Sequence, residues 1–351
     1  MLMQIKNLLF NFLVRLLRPF LARSSNPPDR FLIVSTTGLG DTLWGTPAIR
    51  ALRNSYPKAY ITILTSPLGK EVLQNNPHID EFFAVQNPAL PSLLKLFFPL
   101  RQKKFRTILI FHTSQRPVLP FCALLGAQRI IGTANINKGL DFILTEPLEN
   151  RKQHEIQRRL EIVQAAGAKG ETPHMDFFPS VQDRQKASTL IPSGCVIGLH
   201  PGAKDRFKQW PPSHFITLGR KLKEKYGCEI VITGTPAEKE LVEMIAKNIG
   251  ALSLCEGVTL STFAAVLDKL SLFITNDTGP LHMACASKTP TIALFTPTDP
   301  LLCGPYGASH VRVIQKKPTC FPCLKKKCQE PFCLLQISPN ELLSVAEEIL
   351  Q

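Results

Sequence analysis

Acid is scarce in this chain. Its 351 residues carry 27 Asp and Glu against 41 Lys and Arg, a net charge of +14, and no carboxylate precedes Asp29. Such an excess favours an anionic partner: nucleic acid, a membrane surface or a phosphorylated substrate. No basic stripe interleaved with aromatics occurs of the kind on which single strands stack, so nucleic acid ranks last of the three. Low-complexity tracts and short-period repeats are also missing. With hydrophobic content at 44% and charged content at 19%, disorder is excluded and a soluble globular chain is expected. The length exceeds one ordinary core and suits two α/β domains.

The N-terminus lacks the run of about 20 uninterrupted apolar residues that a spanning helix needs. It also lacks the clean apolar centre and small-residue cleavage site of a secretory signal. Instead, residues 1–28 place Leu2, Ile5, Leu8, Leu9, Phe12, Leu13, Leu16, Leu17 and Phe20 at helical spacing, interrupted by Lys6, Arg15, Arg18 and Arg23. A basic amphipathic helix lying in the headgroup plane fits this pattern, and a helix packed on the protein's own surface is the alternative. Of ten cysteines, six (Cys122, Cys195, Cys228, Cys255, Cys285, Cys303) stand singly, mostly among apolar neighbours, and read as reduced core residues of a cytosolic protein. The other four form "CFPCLKKKCQEPFC", Cys320, Cys323, Cys328 and Cys333. This C-x2-C-x4-C-x4-C spacing matches neither a zinc ribbon nor a ferredoxin run, so a structural loop is expected there and no metal.

Beyond "SSNPPD" short β-rich runs alternate with helical patterns. Strands are predicted at 31–36, 59–65, 81–85, 107–111 and 129–133, and again at 195–200, 229–234, 251–256, 272–276, 291–296 and 311–315. Pro47 suits a first helical position, Gly167 a helix stop, and Ser213 and Ser261 helix N-caps. This is the βαβα signature of an α/β protein with two parallel sheets. The domains expected are 29–182 and 195–351, with the polar segment 183–194 as a linker. Ligands of such sheets bind outside the carboxyl ends of the strands, so the cleft between two facing domains is the expected site.

Three strand-to-helix corners carry the chemistry. In "TNDTGPLHMACAS" the helix beginning near Pro280 leaves its first amides unpaired, and Gly279 admits a phosphate to the backbone. Thr278 adds a hydroxyl, His282 a further donor, and Asp277 caps the helix or orients a neighbour; an ordinary capped junction is the bland reading. In "STTGLGDTLWGTP" the Gly38-x-Gly40 pair lacks the third glycine of the dinucleotide fingerprint, where Leu43 stands. The loop instead presents Asp41, either as a general base or as a cap for a helix over 42–54. In "HPGAKDRFKQWPP" Lys204, Arg206 and Lys208 suit a departing diphosphate or are solvated loop charges. Glu238 reads equally as a ribose acceptor and as a first-turn acid facing the helix dipole.

Taken together, "GLGDTLWGTPAIRAL", "HPGAKDRFKQWP" and "TNDTGPLHMACASKTPTIALFTPTDP" resemble glycosyltransferase family 9, from about Phe31 to the C-terminal helix. The resemblance implies a GT-B architecture of two Rossmann-like domains facing a cleft. It also implies an inverting transferase that needs no metal and no cofactor, moving heptose from ADP-heptose to the inner core of lipopolysaccharide. Asp41 matches the family's proposed base. Gly40, Lys208, Asp277, Thr278, Gly279 and His282 fall in the matching motifs, with Lys208 on the leaving diphosphate and Glu238 a looser match for ribose. The implied acceptor is lipid-anchored and anionic, which suits a cytoplasmic protein held peripherally at the inner face of the membrane. Arg101, Lys103, Lys104, Arg106 and Arg116 are candidates for acceptor contacts, with Arg116 preferred because it follows a strand's carboxyl end. Rival readings are a transferase using another nucleotide sugar and a non-catalytic nucleotide- or lipid-binding protein on the same scaffold.

Overall fold

The computed structural model describes Phe12 and residues 29–113, 115–296, 298–320, 323, 324, 328 and 332–351. The amphipathic segment expected over residues 1–28 therefore lies outside the described residues, Phe12 excepted. The chain divides into two compact units, Met1–Pro173 and His174–Gln351.

In the first unit six strands form one parallel sheet: β1 (Arg30–Ser35), β2 (Tyr60–Thr65), β3 (Glu81–Ala84), β4 (Thr107–His112), β5 (Arg129–Thr133) and β6 (Glu146–Leu148). Their spatial order is β3-β2-β1-β4-β5-β6, with Ile33 opposite Ile63 on one side and Leu109 on the other. Helices α1 (Leu39–Leu43), α2 (Thr46–Ser55), α3 (Pro67–Leu73), α4 (Ala89–Gln102), α5 (Val118–Leu124) and α6 (Glu155–Ala165) connect and cover the strands. The strands read as unbroken apolar runs because both faces are buried: Leu32, Val34, Ile108 and Ile110 all join one core with Phe105 and Leu119. Strand β6 escaped the sequence reading. Its three residues, "EPL", offer no apolar run and contain a proline that only an edge position tolerates.

The second unit repeats the plan with β7 (Val196–His200), β8 (Glu229–Thr233), β9 (Leu252–Leu254), β10 (Leu272–Asn276), β11 (Thr291–Phe295) and β12 (Val311–Gln315). Their order is β12-β11-β10-β7-β8-β9, again all parallel. The helices are α7 (Val181–Leu190), α8 (Pro212–Tyr226), α9 (Lys239–Ile249), α10 (Leu260–Leu267), α11 (Gly279–Ser287), α12 (Pro300–Cys303), α13 (Phe332–Leu335) and α14 (Pro339–Leu350). Numbered within its own unit, each sheet has the doubly wound order 3-2-1-4-5-6. The order reverses between β1 and β4 and between β7 and β10, where such folds bind ligands.

Several expectations are corrected. The segment expected as a linker over 183–194 is largely helix α7, opened by a capping box between Ser180 and Asp183. Asp183 also accepts from Ser261 at 2.6 Å and Thr262 at 2.7 Å, which pins α7 to α10. Burial would raise the Asp183 carboxyl, but the hydroxyl donors of Ser180, Ser261 and Thr262 outweigh it and hold the pKa at about 2. The polar composition of 183–194 thus reflects a solvent-facing helix. Ser261 is not an N-cap; Thr259 is, one position ahead of the helix start. Ser213 likewise lies inside α8, whose cap is Pro211.

Cys195 and Cys228 are not single reduced thiols but a disulfide. They immediately precede β7 and β8, whose register sets Val196 against Glu229 and so brings the two cysteines abreast, 4.8 Å apart at Cα. Nothing in the spacing of two cysteines 33 residues apart discloses strand register. Among the described residues, no helix is long and apolar enough to cross a membrane.

Candidate active site

In the first unit the reversal point is bounded by the carboxyl ends of β1 and β4. The chain leaves β1 through Thr36 and Thr37 and turns at once into the short helix α1, capped by Gly38. The backbone amide and the hydroxyl of Thr42 both donate to the Gly38 carbonyl, at 3.1 and 2.9 Å, which fixes the turn. Gly40 lies in this turn, its carbonyl accepting from the Trp44 amide at 3.0 Å. Asp41 is in the first turn of α1 and caps nothing, and the following helix α2 is capped by Gly45. Its carboxylate is 34% exposed and stands 3.6 Å from the Arg159 guanidinium.

Arg159, on α6, was not among the residues the sequence singled out. Its side chain is fully buried. Nη1 donates to the Glu155 carbonyl at 2.8 Å and carboxylate at 2.7 Å, and the guanidinium lies 5.6 Å from the Trp44 ring centroid. Nε and Nη2 make no hydrogen bond among the described residues, so the charge is turned toward Asp41 without a direct donor contact. Burial would raise the Glu155 carboxyl, but Arg159 outweighs it and holds the group below its ordinary value. His112 ends β4 beside these groups. Burial holds its imidazole below the usual range, Asp41 opposes that and Arg159 adds to it. Its Nδ1 is buried without a hydrogen-bond partner among the described residues. Arg116 is half-buried in the loop between β4 and α5, on the same carboxyl side of the sheet.

In the second unit the reversal point is bounded by the ends of β7 and β10. Asn276, the last residue of β10, is buried and braces the neighbouring corner. Its amide donates to the Pro201 and Gly202 carbonyls at 2.9 and 3.3 Å, and its oxygen accepts from the Trp210 amide at 3.0 Å. Trp210 is itself buried and donates to the Ile337 carbonyl at 2.9 Å. The loop is therefore held at both ends, and Lys208 projects from a single 3-10 turn within it. Lys208 Nζ donates to Asp277 Oδ2 at 2.5 Å, and Thr298 Oγ1 donates to the same oxygen. Of Asp277's two open roles, orienting a neighbour is the one observed. Lys204 and Arg206 are solvent-exposed, which leaves Lys208 as the fixed cation of the three.

Thr278 caps α11 without a side-chain hydrogen bond, so its hydroxyl is not consumed by the cap. Gly279 opens the helix, and His282 is buried in the first turn. Such a helix start offers unpaired amides and a positive dipole end to an anion. Glu238 closes a capping box on Thr235, its Oε2 accepting from the Thr235 amide at 2.9 Å and hydroxyl at 2.8 Å. A Cβ on Gly202 would stand 2.1 Å from Glu238 Oε1, so glycine there is what admits the carboxylate. Oε2 is thus taken up by the cap, while Oε1 lies toward Gly202. His200 ends β7, fully buried, its Nδ1 3.0 Å from Thr233 Oγ1, and burial pulls its pKa down to about 4 against the opposing pull of Glu238. Asn276 was within reach of sequence reasoning, since a polar residue closing an apolar strand ahead of an Asp-Thr-Gly corner is an evident brace.

Among the described residues no group of three or more His, Cys, Asp or Glu side chains is gathered to hold a metal. Cys320, Cys323 and Cys328 are half-buried and Cys333 is buried.

Comparison with known proteins agrees with this geometry. The chain is 29% identical over 165 residues to a lipooligosaccharide heptosyltransferase 2 of Campylobacter jejuni, covering 44% of this chain and 51% of that protein. The chain thus spans about half the length of the first curated relatives it matches. A family 9 glycosyltransferase of Veillonella parvula superposes with a TM-score of 0.79 at 20% identity, covering 93% of this chain and 99% of that one. An Escherichia coli heptosyltransferase solved with ADP-2-deoxy-2-fluoro heptose superposes with a TM-score of 0.72 at 19% identity, covering 91% and 99%. The model of glycosyltransferase family 9 (heptosyltransferase) matches residues 100–333, and the chain belongs to that family.

Proposed function

We propose that the protein transfers heptose from ADP-heptose to the inner core of lipopolysaccharide, with inversion at the anomeric carbon and without a resident metal. The observation that carries this reading is the Lys208–Asp277 pair beside the start of α11, at the reversal point of the second sheet. A fixed ammonium and a helix N-terminus are what a departing diphosphate needs as its charge grows. Supporting it are the family and the names of the relatives, which are heptosyltransferases, one of them solved with an ADP-heptose analogue.

In this mechanism Asp41 accepts the proton of an acceptor hydroxyl as that oxygen attacks the anomeric carbon. The bond to the diphosphate breaks on the opposite face, and the released charge is met by Lys208 and the amides at Thr278 and Gly279. Asp277 holds Lys208 in place, and the chain itself supplies the positive charge. Arg116 contacts the acceptor's anionic groups. Glu238, braced by its cap, offers Oε1 to a ribose hydroxyl. The acceptor is lipid-anchored, and residues 1–28 hold the protein peripherally at the membrane.

Calorimetric titration of ADP, UDP, GDP and CMP without added metal tests the donor side, followed by mass analysis of a heptose-deficient lipopolysaccharide incubated with ADP-heptose. Binding of ADP above the others and a mass gain of one heptose are expected. A preference for UDP or GDP would keep the mechanism but remove heptose. Failure of the folded protein to bind any nucleotide would sink the transferase reading.

A further inference from the structure

Helix α4 is built the wrong way round for a helix that merely covers a sheet. Its inner face buries Ala89, Leu93 and Leu100 against the core of the first unit, as expected. The opposite face is apolar too: Leu90 is 58% exposed, Leu94 67% and Phe98 69%. These three are spaced i, i+4, i+8, so successive side chains are offset by only about 40° and form one outward ridge. At the C-terminal end Arg101 donates to the Leu124 carbonyl at the end of α5, and Leu124, 37% exposed, extends the ridge onto that helix. An apolar surface of this kind on a soluble domain marks a contact site.

The charges around it select the occupant. Residues 86–106 contain five Lys and Arg and no acid. Lys95 and Lys104 are exposed, and neither forms an ion pair among the described residues; Arg101 flanks the same ridge. A protein partner with an apolar patch would leave these cations unanswered. A bilayer rich in anionic headgroups satisfies both features at once, taking the leucines and phenylalanine at the acyl boundary and the lysines among the phosphates.

We infer that the outer face of α4, with the end of α5, is a docking surface for an anionic lipid bilayer, separate from the amphipathic segment at residues 1–28. The inference deepens the proposed function, resting on it only for the reason such a surface is useful: a lipid-anchored acceptor.

Co-sedimentation of the full chain with phosphatidylglycerol–phosphatidylethanolamine vesicles tests it. Binding that falls steeply with added salt is expected, and the double variant Leu94→Glu/Phe98→Glu should lower the partition coefficient on the order of tenfold or more. Both side chains point to solvent, so the variant's thermal midpoint should match the parent's, which guards against misfolding. The charge-reversal pair Lys95→Glu/Lys104→Glu should weaken binding to anionic vesicles and leave the weak binding to phosphatidylcholine vesicles unchanged. Vesicle binding unaltered by either pair would overturn the inference and assign the membrane contact to residues 1–28 alone. A shift of the Leu94→Glu/Phe98→Glu variant to a smaller species by light scattering, with vesicle binding intact, would overturn it in favour of a second copy as occupant. Transfer to a deacylated, water-soluble acceptor should be the same in the parent and in Leu94→Glu/Phe98→Glu; absence of transfer in the parent would count against the proposed reaction and leave the vesicle result standing.

Discussion

The two units share one sheet topology yet bury opposite members of an ion pair. In the first, Arg159 is wholly buried and Asp41, 34% exposed, is the member presented to solvent. In the second, Asp277 is 6% exposed and Lys208, 20% exposed, is the member presented. The buried partner in each case is held by the scaffold, Arg159 by Glu155 and the Trp44 ring, Asp277 by Thr298. One fold thus presents a carboxylate at one reversal point and an ammonium at the other. A carboxylate is what proton abstraction requires, and an ammonium is what a phosphate requires. The specialisation lies in which charge is placed behind.

The sharpest way to break this comparison is to neutralise the two presented groups separately. Asp41→Asn should lower kcat on the order of 10²–10⁴-fold and leave the affinity for ADP unchanged. Lys208→Met should weaken ADP binding and cost about 3 kcal/mol of transition-state stabilisation in kcat/KM. Steady-state kinetics with ADP-heptose, alongside calorimetry with ADP, separates them. If Asp41→Asn loses ADP affinity and keeps its turnover, the first corner binds donor and the assignment of base to Asp41 is wrong.

The presented groups were legible in the sequence, and the buried ones behind them were only partly so. Asp41 and Lys208 stand in glycine-rich or basic loops between a predicted strand and helix, where loop composition itself is the signal. Ten of the twelve strands lie within a residue of the predicted bounds, because doubly buried parallel strands are apolar throughout. Arg159 carried no such signal. It is 118 residues from Asp41, and an arginine on a helix at i+4 from a glutamate is the ordinary pattern of a solvated face. Only the packing of α6 against β4 and β5 reveals that this face is inward. The Cys195–Cys228 bridge was hidden for a related reason, since strand register is a tertiary fact.

If Arg159 is the buried support of the first pair, its loss should register in stability as well as in rate. Arg159→Met keeps the volume but removes the charge-assisted hydrogen bonds to Glu155, whose half-buried carboxylate retains Arg158 at 3.3 Å, and should cost about 1–3 kcal/mol in urea denaturation. Asp277→Asn should cost less, because Lys208 is freer to turn to solvent and the amide still accepts from Thr298. Equal losses in the two variants would mean that the pairs are not mirror images in burial. A further readout isolates positioning from folding. Arg159→Lys restores the charge without the planar fork, and should recover stability more fully than kcat.

The smallest effect expected concerns the histidines that end β4 and β7, both held neutral by burial. They differ in company: His112 sits among charged groups, whereas His200 faces Thr233 and lies 6.5 and 6.3 Å from the Phe263 and Phe273 rings. His200 keeps its neutral form down to about pH 4 in the folded protein, while the unfolded chain takes up the proton near 6.5. Between those values the unfolded state binds more protons, so stability falls as pH falls, and the loss levels off below about 4. Going from pH 7 to pH 5.5 should cost on the order of 1 kcal/mol through this one group. His200→Gln retains a polar group for Thr233 and cannot titrate, so its unfolding free energy should lack that share of the pH slope. A slope identical to the parent's would mean that the imidazole takes up its proton at the same pH in the folded and the unfolded chain, so that burial does not hold it neutral.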